Sequence, residues 1–170
     1  MLAGRNLAFP MAVLVSSIGL GGFNLGAVAQ EPDATQQPPS AQIREGLSLA
    51  AAFKAYVTET YLASGVVPED RAALGMTPNP ADTQGRYTAS IDISQGEVVI
   101  AYGNAAHPDI AGKQLILTPF LTSDGSFAWQ CGYSTAIADT DAVLIGANTG
   151  NSATTIDAQY LPTACQRRLR

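Results

Sequence analysis

The stretch SAQIREGLSLAAAFKAYVTETYLASG, residues 40–65, constrains the fold more than any other part of this chain. Ile43, Leu47, Ala50, Phe53, Val57 and Tyr61 recur every three or four residues, which is the spacing of one helix face. Arg44, Ser48 and Glu59 fall on the opposite face. Ala50-Ala51-Ala52 adds intrinsic helix propensity. Ser40 is placed to cap the first turn, Gly65 to end the last, and Pro68 forbids resumption. Roughly 23 residues at ~1.5 Å each make a rod about 35 Å long. An apolar stripe of that length needs a sheet to lie on.

The sheet is readable downstream, after a loop over residues 66–84 rich in Pro, Gly and Asn. RYTASIDI, residues 86–93, sets Tyr87, Ala89, Ile91 and Ile93 against Arg86, Thr88, Ser90 and Asp92, the period of a half-buried strand. SQGE is a short turn and VVIAY the return strand of a hairpin. QLILTPFLT forms a third strand, with Pro119 putting its second half at an edge or bulge. After a turn at SDGS, SFAWQCG is the fourth, and AVLIG offers a short further strand within an irregular segment. The expected fold is α+β: a long N-terminal helix packed across a four-stranded antiparallel sheet.

Residues 1–29 differ from the rest. Arg5 is their only charged side chain, an apolar run spans residues 7–20, and Ala27-Val28-Ala29 gives a small-residue exit. These are the parts of a secretory signal peptide cut before Gln30. An uncleaved anchor over residues 7–29 is the alternative, and only then does the chain touch a membrane. Either way the remainder is exported. Residues 30–40, with Pro32, Pro38 and Pro39, read as an extended Pro-rich linker, and 41–170 as the globular domain. Cys131 and Cys165 both lie in the exported part, where a lone pair is expected to bridge rather than stay as two free thiols. Closing that loop removes about 4 kcal/mol of unfolded-state freedom on the chain-entropy model.

These segments meet specific residues. QIREGLSLA and VTETY in the helix, GRYTASIDIS and GEVVIAY in the hairpin, IAGKQLILTPFL, FAWQC, and IDAQYLPTAC resemble the globular domain of type IV pilins, in order, over residues 42–165. The most specific pieces are Ala111-Gly112-Lys113, Trp129 two residues before Cys131, and Tyr160-Leu161-Pro162 shortly before Cys165. The resemblance implies a disulfide between Cys131 and Cys165 that bounds a C-terminal loop. It implies Trp129 in the core beside that bridge, with Tyr160 and Leu161 tucking the returning segment against the sheet. With the helix residues Leu47, Phe53, Val57 and Tyr61, these make the expected structural core. It also implies a structural role, in filaments that serve adhesion, motility and DNA uptake.

One departure stands out. Family members carry a short leader, a cut after glycine, then Phe, an acidic residue at the fifth mature position, and an apolar helical stem. Here Gly22-Phe23-Asn24-Leu25 looks like the cut site, but Ala27 stands where the acid belongs, and the apolar run precedes the cut. The expectation is a pilin-like accessory or minor component of a pilus, touching other pilin-like subunits or assembly proteins, with a surface ligand through the 131–165 loop as a further candidate. A true filament subunit and a free-standing adhesin or binding module are the alternatives. The expected place is periplasmic, cell-surface or pilus-associated.

No catalytic, cofactor-binding or metal site is expected, and no enzyme. His107 in NAAHPDI has neither a nucleophile nor an orienting partner in evidence. Asp139 and Asp141 lack the later carboxylates of a calcium loop, and two cysteines cannot fill a zinc site. The formal net charge of −5 argues against nucleic acid, which demands a basic surface. The terminal arginines of QRRLR read as a solvated tail.

Overall fold

The computed structural model describes residues 37–134, 141–146 and 154–166. Residues 1–29, where an export signal is expected, residues 30–36 of the expected linker, Asp139 and the terminal arginines lie outside the described residues. Helix α1 runs Pro39–Ser64 and starts ahead of the expected cap. Pro38 is the N-cap, extended at φ −62° and ψ 147°, and Pro39 occupies the first turn, so Ser40 lies inside the helix. Proline's fixed φ suits that first position, and the N–H it lacks is one the helix cannot bond anyway. At the far end Gly65 adopts φ 74° and its N–H reaches the Tyr61 carbonyl at 2.7 Å.

Strands β1 (Thr88–Ser94), β2 (Glu97–Tyr102), β3 (Gln114–Leu121) and β4 (Phe127–Cys131) form an antiparallel sheet in chain order. A fifth short strand, β5 (Val143–Leu144), pairs with the end of β3. Helix α1 lies on β1 and β2. Ile43, Ala50 and Val57 from the helix meet Ile91, Val98 and Ile100 from those strands, all fully buried. The sequence pattern thus yields the α+β architecture expected of it.

Two local departures have clear causes. Thr88, expected on the outer face, is fully buried. The register jumps between Thr88 and Ser90, so Ala89 is a bulge, and the extra residue turns Thr88 to the helix side opposite Tyr102. The helix face is also rotated slightly from the apolar pattern. Gln42 and Gly46 are buried, whereas Leu47 and Tyr61 sit half-buried at the margin.

Strand β3 changes partners half-way. Gln114 to Leu117 pair with β2, Leu117 to Leu121 with β4, and Phe120 and Leu121 also with β5. The bonds from the Tyr102 N–H to Lys113 and from the Gly132 N–H to Ile116 set the phase of both ladders. In that phase the missing N–H of Pro119 falls on the β2 side, past the end of the β2 pairing. No β2 ladder bond is lost there, and beside β5 proline keeps only the acceptor half of a pair, taking the Ile145 N–H on its carbonyl at 3.4 Å.

Gly46 is the closest point of helix and sheet. A Cβ there would lie 2.5 Å from the Tyr102 hydroxyl oxygen and 2.7 Å from Ile100 Cγ2. The same hydroxyl donates to the Ile43 carbonyl at 2.9 Å. Burial, with the Glu45 charge nearby, holds the Tyr102 phenol above its ordinary pKa, so it stays a donor. Gly46→Ala gains about 1 kcal/mol of helix propensity but overpacks the seam at a cost of about 1–3 kcal/mol or more. A net destabilisation of up to about 2 kcal/mol is expected by urea unfolding; a variant stabilised by the full propensity gain would show that the helix does not sit this close.

Candidate functional site

The long connection between α1 and β1 is held by two polar side chains, Glu45 half-buried and Arg71 buried, that the sequence pattern did not mark. Glu45 projects from the helix flank into the start of β1. One carboxylate oxygen accepts from the Arg86 N–H at 2.7 Å, the other from the Tyr87 and Thr88 N–H groups at 2.7 and 3.1 Å. The Thr88 hydroxyl adds a further donor at 3.2 Å. Arg71, only 3% exposed, donates to the carbonyls of Thr77 and Ile91 and to the Thr83 hydroxyl, with its guanidinium 5.2 Å from the Phe53 ring centroid. A planar fork with several donors can staple three chain segments at once, which a lysine cannot. The one sequence signal for this crowded seam is the glycine inside the helix.

The C-terminal part is tied down by the bridge between Cys131, at the end of β4, and Cys165, with Cα atoms 4.6 Å apart. The Tyr133 N–H then donates to the Cys165 carbonyl at 2.9 Å. Inside the bounded segment, the chain returns beside the first half of β3, where β4 no longer runs. There the Thr154 and Thr155 hydroxyls accept from the N–H groups of Ile116 and Gln114 at 3.1 and 2.9 Å. The Thr155 N–H returns a bond to the Gln114 carbonyl. Ile156 and Leu161 are buried beneath it. Lys113 pairs with Asp157 at 2.8 Å, and the Tyr160 hydroxyl donates to Asp109, a bond that raises the phenol's pKa.

The residues singled out from sequence therefore sit as follows. Phe53, Val57 and Leu161 are buried in the core; Leu47, Trp129 and Tyr160 pack half-buried against it, and Tyr61 stands edge-on to Phe127 at 5.7 Å. Phe127 in turn stacks near Trp129 at 5.6 Å. His107 has its N–H on Gln42 and its Nδ1 facing the Asp109 N–H, and no hydroxyl or thiol among the described residues bonds to it. No cluster of three metal-ligating side chains occurs among the described residues. No helix among them is long and apolar enough to cross a membrane.

A helix laid on an antiparallel meander, with a disulfide closing the C-terminal segment, is a constrained combination. The profile of the family described as Pilin (bacterial filament) matches residues 40–166. The chain belongs to the type IV pilin family. This pilin is 31% identical over 159 residues to a type IV major pilin protein, PilE1, of Neisseria gonorrhoeae, covering 92% of its own length and 83% of the relative. A second PilE1 of that organism is 30% identical over 157 residues, covering 92% and 89%. The fimbrial protein EcpC of Eikenella corrodens is 27% identical over 161 residues, covering 92% and 86%.

Two substitutions test the anchors. Replacing Cys131 with Ser should destabilise this pilin by about 2–5 kcal/mol, read from the thermal midpoint without reductant; no shift would mean the bridge does not constrain the domain. Glu45→Gln removes one acceptor oxygen from three main-chain donors and should cost about 1–3 kcal/mol. Glu59→Gln, on the exposed face, should stay within about 0.5 kcal/mol. Equal effects at the two positions would refute the clamp.

Proposed function

We propose that this pilin is an accessory or minor component of a type IV pilus, exported by a secretory signal and working by protein–protein contact rather than catalysis. The observation that supports this most is the start of α1. Pro38 is extended ahead of the first turn, and a residue preceding proline is pushed away from helical dihedrals. A helix running unbroken from an apolar stem into this one is therefore disfavoured. Its partners are other pilin-like subunits or pilus assembly proteins in the periplasm or at the cell surface. Leu62 and Val66 at the C-terminal end of α1, and Val143 and Leu144 within the disulfide-bounded segment, are exposed apolar side chains available for such contacts.

The filament-subunit reading has its own support. Only four residues follow Gln166, so a match over 92% of the chain must extend well ahead of Pro39, into the segment that corresponds to the relatives' N-terminal part. N-terminal sequencing with intact mass, on protein recovered from the native envelope, separates the two. Under the accessory reading the mature protein starts at Gln30, or keeps Met1 and stays in the membrane fraction. A start at Phe23 would overturn that reading in favour of a filament subunit.

A further inference from the structure

The two edges of the sheet are treated differently. In β1 the two-residue turn at Gln95 and Gly96 makes Ser94 and Glu97 the closing pair, so the main-chain groups of Ile91 and Ile93 point outward. One group of each residue is occupied. Arg71 donates to the Ile91 carbonyl and the Ile93 N–H donates to the Asp92 carboxylate, while just beyond the strand the Gln95 N–H donates to the main-chain carbonyl of Glu69. Side-chain capping of this kind blunts an edge against strand addition.

Along Phe127 to Gln130 the β4 edge carries no such caps, and only at its end does the Cys131 carbonyl accept from the Ser134 N–H. The Gly132 N–H to Ile116 carbonyl bond and the Thr122 N–H to Ser126 carbonyl bond fix the ladder phase. Ala128 and Gln130 therefore bond to β3, while the N–H and C=O groups of Phe127 and Trp129 point away from the sheet. Among the described residues none of these four groups has a hydrogen-bond partner. The side chains of the same two residues face α1, which packs chiefly on β1 and β2 and meets β4 through Tyr61 against Phe127. A groove of about 370 Å³ results, lined by Phe127 and Trp129 on the strand and by Lys54, Ala55, Thr58 and Glu59 on the helix.

We propose that the β4 edge and this aromatic groove together take an extended peptide segment of another protein, added antiparallel or parallel as a further strand. Outward donors and acceptors at every second residue are specific for an extended backbone. The aromatic floor accepts an apolar side chain at alternate positions, and the rim offers one cation and one carboxylate, so the segment carries little net charge. A second copy of this chain fits less well. Its own β1 edge is half capped, and pairing β4 with β4 engages five residues a side, against about 20–30 in a standard stable interface. The inference holds for an accessory protein and for a filament subunit alike.

The test uses the full-length chain in mild detergent and a displayed library of random decapeptides. One selected peptide is synthesised, titrated, and followed by amide hydrogen exchange. Binding should slow exchange at Phe127 and Trp129 at least about tenfold. N-methylating one alternate set of the peptide's amides should weaken binding at least tenfold, while methylating the other set should not. Ala55→Trp, which fills the groove from an exposed helix position, should abolish binding with the thermal midpoint retained. The proposal is overturned if no peptide binds more tightly than about 1 mM, if binding leaves Phe127 and Trp129 unprotected, or if N-methylation has no effect. Protection of the two amides in the peptide-free protein would also overturn it: the edge is then covered by the chain itself at low concentration, or by a second copy if protection appears only as concentration rises.

Discussion

The contact between Gly46 and the Tyr102–Ile100 pair sets how close α1 lies to the sheet, and most of the domain takes its geometry from that distance. With the helix backbone against β2, the Tyr102 hydroxyl reaches a helix carbonyl and Ile43, Ala50 and Val57 enter the core. Close seating over β1 and β2 also brings Glu45 within reach of the first amides of β1. A bulkier residue at this point lifts the helix, and the hydrogen bonds on both sides of the seam lengthen together.

Polar side chains inside the fold act as struts for irregular chain. Gln42 bridges the Gln37 carbonyl, before the helix, and the His107 N–H in the loop between β2 and β3. Glu45 and Arg71 secure the connection from α1 to β1 from its two sides. A buried main-chain donor without a partner costs about 1–3 kcal/mol, so a connection of this length needs such partners if it is to pack down rather than stay in water. The loops of this pilin hold their shape through these polar bonds as well as through the burial of Ile110, Ile156 and Leu161.

Much of this was legible in the residue pattern. The 3.6-residue apolar period in the helix and the alternation at Ile91 and Ile93 carry the architecture, because burial on one face leaves few other arrangements. Pro119 was readable as a break in pairing for the same reason. The bulge at Ala89 was not, since one extra residue in a strand leaves the alternation looking intact while turning Thr88 inward. Nor were Glu45, Arg71 and Gln42. A polar residue on a helix margin or in a loop reads as solvated unless its distant partners are known, and those partners are main-chain groups without a sequence signature. Ser40 misled because Ser is a good cap in isolation, whereas Pro39 beside it had already fixed where the first turn begins.

The pinning of the bounded segment at both ends has an evolutionary consequence. Tyr133 is tied to Cys165, and Thr154 and Thr155 are tied to β3, so apart from the short β5 the helix, the strands and the cystine all come from outside residues 135–153. The cystine joins the two sides in the unfolded chain as well, and lengthening a closed loop changes its closure free energy only slowly, by about 0.6 kcal/mol per doubling. Changes of chain length in that interval therefore carry little closure penalty, and its sequence can drift while the helix, β1 to β4 and the cystine stay constant.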